Sequence, residues 1–250
     1  MEKSGRVVAV TGGGSGLGRA ICEHLSQHHS FIGVLDRDRA AAEEVAGELR
    51  ATGTKAVAFE VDVADKAAVD SAFGTLRSEL GPVDILVTSA GISGFTSFEK
   101  ITLEEWNRYL AINLTGTFLC MQAALPDMAA RNWGRIVTIS SAAGQVGALR
   151  QGHYSASKGG VIAMTKTVAL EYAARGITVN TLPPFTADTP MLRAAQEARQ
   201  VPGAQTMARI IPAGRVGTAD ELAAVCTFLC SDAASYITGQ AIGVNGGAVV

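Results

Sequence analysis

The sequence predicts an α/β fold: one domain built on a doubly wound parallel sheet of seven strands, with helices on both faces. Three observations carry that expectation. Short apolar runs alternate with longer amphipathic stretches along nearly the whole chain. The runs are too apolar to be half-exposed strands, so both of their faces must be covered. A glycine cluster follows the first run directly, where a strand would turn into a helix.

The elements follow in order. "RVVAVT" (6–11) is the first strand and leads into a helix over 16–29. "FIGVLD" (31–36) precedes a helix over 38–52, where "AAAEEVAGELRA" spaces apolar residues at three- and four-residue intervals. "AVAFEVD" (56–62) precedes a helix over 65–80 with the same spacing in "AAVDSAFGTLRSEL". "VDILVTSAG" (83–91) is followed by one long helical segment, 104–131. "GRIVTISS" (134–141) precedes a helix over 155–174, and "ITVNTL" (177–182) is the sixth strand. A helix-poor, Pro-containing insertion at 183–216 then interrupts the rhythm before a helix over 219–230 and a seventh strand, "GQAIGVNGG" (239–247). Parallel strands joined through helices imply right-handed crossovers. No linker or low-complexity segment divides the chain, so residues 1–250 are read as one domain, with the insertion as a substrate lid.

Composition narrows the function classes. With 48% apolar and 18% charged residues in 250, the chain can bury a sizeable core. A formal charge of -2 gives no electrostatic reason to expect nucleic acid or an anionic membrane as partner. "MEKSGRVVAV" reads as a first strand, not a signal peptide, and no apolar run reaches the length of a membrane span. The expected compartment is the cytoplasm. Cys22, Cys120, Cys226 and Cys230 form no CxxC pair and sit in apolar, helical contexts, so buried free thiols are expected, and no metal site.

The glycine cluster, "TGGGSGLGRA", reads TGxxxGxG with Gly12, Gly16 and Gly18. It differs from GxGxxG but answers the same demand: a tight turn, close approach of backbone to a pyrophosphate, and a helix N-terminus facing the anion. Glycines also mark ordinary strand-to-helix turns. The second strand adds weight, because it ends in Asp36, where a carboxylate can accept bonds from adenosine ribose hydroxyls. The same carboxylate repels a 2'-phosphate, which favours NAD over NADP. Arg37 offsets part of that repulsion, while position 15, inside the turn, is a serine and not a base. "VDV" (61–63) and "SAG" (89–91) end the third and fourth strands, where doubly wound sheets bind ligands.

With this turn, Asn113 in "AINLTG", Ser141 in "ISSAAG", and Tyr154 and Lys158 in "YSASK", the chain resembles the short-chain dehydrogenase/reductase family over essentially its whole length. "PAGRVGTADELA" (212–223) and the closing "GQAIGVNGG" belong to the same resemblance. It implies a Rossmann fold, a nicotinamide cofactor and a homotetramer assembled through the helices at 104–131 and 155–174 and the C-terminal strand. It implies catalytic roles for Asn113, Ser141, Tyr154 and Lys158. A free tyrosine has a pKa near ~10, too high for a base at neutral pH. Four residues along a helix, Lys158 can favour the phenolate, letting Tyr154 take a proton from an alcohol or give one to a carbonyl. Ser141 would polarise the substrate oxygen, and Asn113 would hold a water on a proton relay. The cofactor set implied is Gly12, Ser15, Gly16, Leu17, Gly18, Asp36, Arg37, Asp62, Val63, Ser89, Ala90, Gly91, Tyr154, Lys158, Pro184 and Thr189.

Two positions depart from the family pattern. Ser89 stands where the family usually has Asn, and Phe185 follows Pro184 where the family typically has glycine. Phe185 must point its ring away from the nicotinamide or change the loop path, and it is expected to contribute to the pocket wall or to lid packing. The expected substrate residues are Ser141, Gln145, His153, Tyr154 and Phe185. With Ser93, Phe95, Val146, Leu149, Met191, Leu192 and Met207 nearby, the pocket is mainly apolar and suits a medium-sized ketone or secondary alcohol. His153 has two readings, contact with substrate or simple packing. The main expectation is an NAD-dependent dehydrogenase of secondary alcohols. The alternatives are reduction of 3-oxoacyl thioesters on acyl carrier protein, with Arg131 and Arg175 as a docking patch, and an NAD-binding sensor or scaffold without turnover.

Overall fold

A computed structural model describes residues 3–250. Strand β1 (Ser4–Thr11) leads through the glycine turn into α1 (Gly16–Ser26), followed by β2 (His29–Asp36), α2 (Arg39–Ala51), β3 (Lys55–Glu60), α3 (Lys66–Glu79) and β4 (Ile85–Thr88). The second half runs α4 (Leu103–Tyr109), a π-helical segment (Leu110–Thr115), α5 (Gly116–Arg131), β5 (Gly134–Ile139), α6 (Ala142–Val146), α7 (Gly152–Tyr172) and β6 (Ile177–Leu182). Then come β7 (Ala187–Asp188), α8 (Pro190–Glu197), α9 (Ala204–Ile210), β8 (Gly217–Thr218) and α10 (Ala219–Leu229).

The main sheet is parallel, in the order β3-β2-β1-β4-β5-β6. Period-two alternation along each strand explains the double winding. Val8, Val10, Ile32, Val34, Ile85 and Val87 point to a core shared with Ile21 and Leu25 of α1, Val45 of α2 and Leu229 of α10. Val7, Ala9, Leu35 and Leu86 point to the opposite core, against Phe73 and Leu76 of α3 and Met121 and Met128 of α5. Side-chain caps start several of the helices: Asp38 accepts from the Ala40 and Ala41 amides, Asp65 from Ala67 and Ala68. The strand order reverses between β1 and β4, which opens a cleft at their carboxyl ends.

Two expectations are corrected and one is refined. The sheet has six strands, not seven: Gly239–Ile242 runs beside β6, but only the Thr181–Ala241 pair registers as a bridge. Side chains take bonds a ladder would use, since Thr238 Oγ1 accepts from the Val179 amide and Asn180 Oδ1 from the Gln240 amide. Gly239, Gly246 and Gly247, all at positive φ, bend the segment away from extended geometry. The segment at 104–131 is helical throughout, with α4 and α5 joined through a π-helical turn at 110–115. The insertion at 183–216 is not helix-poor, because it carries α8 and α9; Thr189 caps α8 and Pro190 opens it.

All four cysteines are buried free thiols. Among the described residues, no helix is long and apolar enough to cross a membrane.

Candidate active site

A cavity of about 660 Å³ lies over the switch point, and its wall is drawn from nearly every motif along the chain. Its outer end is the glycine turn. Gly12 and Gly16 sit at φ +66° and +53°, where a side chain would be strained. A Cβ on Gly18 would overlap the Gly12 carbonyl oxygen, so helix and turn touch only because that residue is glycine. Ser15 places no side-chain oxygen on the first amides of α1, which leaves those donors at the cavity wall. Asp36 completes this end. Its Oδ2 accepts from the Gly14 amide at 2.9 Å and its Oδ1 from the Asp38 amide at 3.0 Å. Arg37, Asp62 and Val63 line the same wall.

At the middle, Ser89, Ala90 and Gly91 leave β4 along the cavity. The Ser89 amide donates to the Thr11 carbonyl at 3.1 Å and the Ala90 amide to Thr11 Oγ1 at 3.3 Å, so backbone joins the two strand ends here. Gly91 is enclosed: a Cβ there would lie 3.1 Å from Asn113 Oδ1 and 3.3 Å from Lys158 Nζ. These glycines, the uncapped amides and the carboxylate of Asp36 fit an elongated dinucleotide.

The inner end holds the polar cluster. Ser141 caps α6 by accepting from the Ala143 amide at 3.1 Å, and Tyr154 and Lys158 project from the first two turns of α7. Lys158 Nζ donates to the Ile139 carbonyl at 2.8 Å and lies 5.9 Å from the Tyr154 ring centre. Burial favours the uncharged form of both groups. It pulls the Lys158 ammonium down to about 8. It pushes the Tyr154 hydroxyl up, against the opposing effect of the nearby Ser141 hydroxyl. Asn113, fully buried in the π-helical turn, accepts from the Ile92 amide at 2.8 Å and donates to the Ile92 carbonyl and to Ser157 Oγ. Widened turns of this kind recur at functional sites.

The mouth is apolar. Phe95, Val146, Leu149, Met191, Leu192, Val201 and Met207 line it beside Pro184 and Phe185. Pro184 is tied back, its carbonyl accepting from the Ala142 amide at 2.8 Å. Thr189 and Pro190 sit against the glycine turn, 3.8 and 3.4 Å from where a Gly16 Cβ would be.

The structure therefore brings Ser141, Tyr154, Lys158 and all the expected cofactor residues to one cavity wall, and Phe185 with them. It does not bring Gln145 or His153 there. Gln145 is exposed on α6. His153 has no exposed surface: it stacks on Tyr109 with ring centres 3.8 Å apart and bonds Glu105 through Nε2 at 3.1 Å. Its contacts are with protein, so the substrate-contact reading is corrected. Asn113 sits behind the wall, not on it. Glu105 was missed, although "TLEE" gives a signal: a Thr102-x-x-Glu105 capping box whose glutamate side chain is instead turned toward Thr96 and His153.

Fold and cavity together define a Rossmann-type oxidoreductase that works with a nicotinamide dinucleotide. Comparison with known proteins agrees. A family profile described as enoyl-(acyl carrier protein) reductase matches residues 12–249. The chain is 40% identical to 3-oxoacyl-(acyl-carrier-protein) reductase FabG of Aquifex aeolicus, covering 99% of this chain and 98% of that protein. It is 37% identical to D-threitol dehydrogenase of Mycolicibacterium smegmatis, over 97% and 92% of the two chains. It is 35% identical to 2-(S)-hydroxypropyl-CoM dehydrogenase 3 of Xanthobacter autotrophicus, over 96% and 95%. A solved structure of ribose-5-phosphate isomerase from Brucella melitensis superposes with a TM-score of 0.91 at 35% identity, over 99% and 94%. The protein belongs to the short-chain dehydrogenase/reductase family and is an NAD(P)-dependent oxidoreductase that interconverts an alcohol and a carbonyl compound.

Proposed function

We propose that the protein is an NAD-dependent dehydrogenase of apolar, medium-sized secondary alcohols, with Tyr154 as general acid/base. The observation that carries the cofactor choice is Asp36, whose carboxylate is fixed by two backbone amides at the cavity wall. A 2'-phosphate beside it would meet like charge, only partly offset by Arg37. The residues that would hold the dinucleotide are the Gly12–Gly18 turn, Asp36, Asp62, Val63, Ser89–Gly91, Lys158, Pro184 and Thr189. When bound, that group donates or accepts the hydride.

The chain supplies the rest. Ser141 and Tyr154 converge on the place where a substrate oxygen would sit. In carbonyl reduction, the Tyr154 hydroxyl, kept protonated by burial, donates its proton to the developing alkoxide while Ser141 polarises the carbonyl. In alcohol oxidation the proton moves the other way, and Lys158 favours the phenolate that receives it. Asn113 anchors the wall at Ile92 and, through Ser157, the turn of α7 that carries Lys158. Residues 183–216 form the lid, and its apolar lining excludes water from the proton transfer.

The names of the relatives support a second reading, reduction of 3-oxoacyl thioesters on an acyl carrier protein. A homotetramer in the cytoplasm fits either: Phe118 of α5 and Leu170 of α7 are 44% and 84% exposed on outer helix faces, and the apolar C-terminus is open as well.

The test is a screen of secondary alcohols and acetoacetyl thioesters, with NAD and NADP side by side. Higher kcat/KM with NAD is expected, and Asp36→Ala should narrow the preference at least tenfold. Equal or better rates with NADP would sink the role given to Asp36. Turnover of thioesters alone would install the second reading.

A further inference from the structure

We propose that His153 is a positioning residue for Tyr154: with Glu105 and Tyr109 it caps the first turn of α7 and so fixes the backbone that carries the acid/base hydroxyl. The inference rests on the reading of Tyr154 as that acid/base.

A helix leaves its first backbone amides without intrahelical partners, and its first turn frays unless something accepts from them. Tyr154 lies in that first turn, and Gln151, at the cap position, makes no side-chain bond to α7. His153 does what the cap does not. Its Nδ1 accepts from the Tyr154 amide at 2.8 Å. Because Nδ1 is the acceptor, the ring hydrogen sits on Nε2 and is donated to Glu105 Oε1 at 3.1 Å. The ring itself cannot swing: it is fully buried and stacked on Tyr109 at an interplanar angle of 14°.

Glu105 is held in turn. Its Oε1 accepts from Thr96 Oγ1 at 2.7 Å, and this bond, with that to His153, keeps the carboxyl below its ordinary range. A comparison inside the chain shows that this placement is particular. Thr218 and Glu221 form a reciprocal capping box on α10, each side chain bonding the other's backbone. Thr102 and Glu105 have the same spacing, and the Thr102 half of the box is made at 3.1 Å, but the glutamate side chain goes to His153 and Thr96. The surrounding segment is locked to the same turn. The Thr96 amide donates to the Arg150 carbonyl at 2.7 Å, and Gln151 Nε2 donates to Ser93 Oγ at 3.1 Å. A Cβ on Gly94 would overlap the Tyr109 hydroxyl, and one on Gly152 would meet Phe98 at 2.9 Å. A hydroxyl at the end of a long side chain transfers protons well only when its backbone is held to within about 0.5 Å.

The experiment compares His153→Asn with His153→Gln, using NAD and the alcohol turned over fastest in the screen above. An asparagine oxygen can take the place of Nδ1 on the Tyr154 amide. A glutamine amide can take the place of Nε2 on Glu105 but leaves that backbone amide bare. Expected are a tenfold or larger loss of kcat in His153→Gln, a displaced pH–kcat profile, and cofactor affinity within threefold of the parent. Amide exchange at residues 153–157 should be faster in that variant, while His153→Asn, which keeps an acceptor on the Tyr154 amide, should retain at least threefold more kcat than His153→Gln. A parent-like His153→Gln, or equal losses in the two variants, would overturn the proposal. Should His153→Gln not fold, Glu105→Ala, on a more open side chain, should lower kcat at least threefold with the same exchange signature, and parent-like values would overturn it equally. Tyr154→Phe separates the two ideas: an active Tyr154→Phe defeats the acid/base reading, whereas an inactive one beside a parent-like His153→Gln defeats only the positioning role.

Discussion

Lys158 is the residue at which stability and chemistry conflict. Its ammonium is buried, and the fall from 10.5 to about 8 corresponds to about 3 kcal/mol of unfavourable charge burial. Below pH 8 the lysine is charged in both folded and unfolded chains, so that cost applies in full. Between about 8 and 10.5 the unfolded chain binds a proton that the folded chain does not, so stability contributed here rises with pH until the cost vanishes. Lys158→Met removes the charge and gives up one bond to the Ile139 carbonyl, worth about 1 kcal/mol. Thermal denaturation without added dinucleotide should show the variant more stable than the parent by about 1–2 kcal/mol at pH 7, and inactive. The gap should close as pH rises from 8 toward 10.5; a gap that widened would contradict the burial argument. Nothing in "YSASK" announces this cost, because the spacing puts two side chains on one face without saying how dry that face is. His153 shows the same gap: its neighbour in the sequence is Tyr154, the proposed acid/base, but its partners, Glu105 and Tyr109, come from more than forty residues away in the chain.

At the scale of elements, the glycine turn shows how close packing sets the position of a helix. α1 starts where it does because Gly18 admits the Gly12 carbonyl against its backbone. Gly18→Ala must separate strand from helix, at about 1–3 kcal/mol for overpacking, and melting should fall by several degrees. NAD affinity, read by fluorescence titration, should drop at least tenfold, since the amides at the turn lose their alignment. Unchanged affinity would mean that the turn tolerates a Cβ. Elements defined by burial on both faces were legible in sequence: all six strands of the main sheet lie within or beside the expected runs. Elements defined by exceptions were not. The seventh run is strand-like in composition, but Asn180 and Thr238 supply side-chain bonds in place of a ladder. The π-helical widening at 110–115 adds one residue to a turn in an otherwise periodic segment, which apolar spacing cannot register. The helices of the 183–216 insertion had a legible start in Thr189-Pro190, but eight and seven residues are too short to stand out by periodicity.

Across the whole molecule, the side chains proposed as catalytic belong to the half of the sheet formed by β4, β5 and β6, and the glycine turn to the half formed by β1, β2 and β3. Shared architecture does not fix the reaction, since an isomerase structure superposes almost throughout. The particular chemistry lies in what the cavity wall presents. One segment bridges its two ends: Thr189 and Pro190, at the start of α8, rest on Gly16, while Met191, Leu192 and Ala195 just after them line the mouth. The wall proposed for the substrate thus rests on the turn proposed for the dinucleotide. That contact predicts an order of events, in which the dinucleotide enters first and leaves last. Steady-state measurements should show the oxidised and reduced dinucleotides competing with one another, and the carbonyl product failing to compete with the alcohol. Competition between alcohol and carbonyl on the free enzyme would show that the mouth forms without help from the turn.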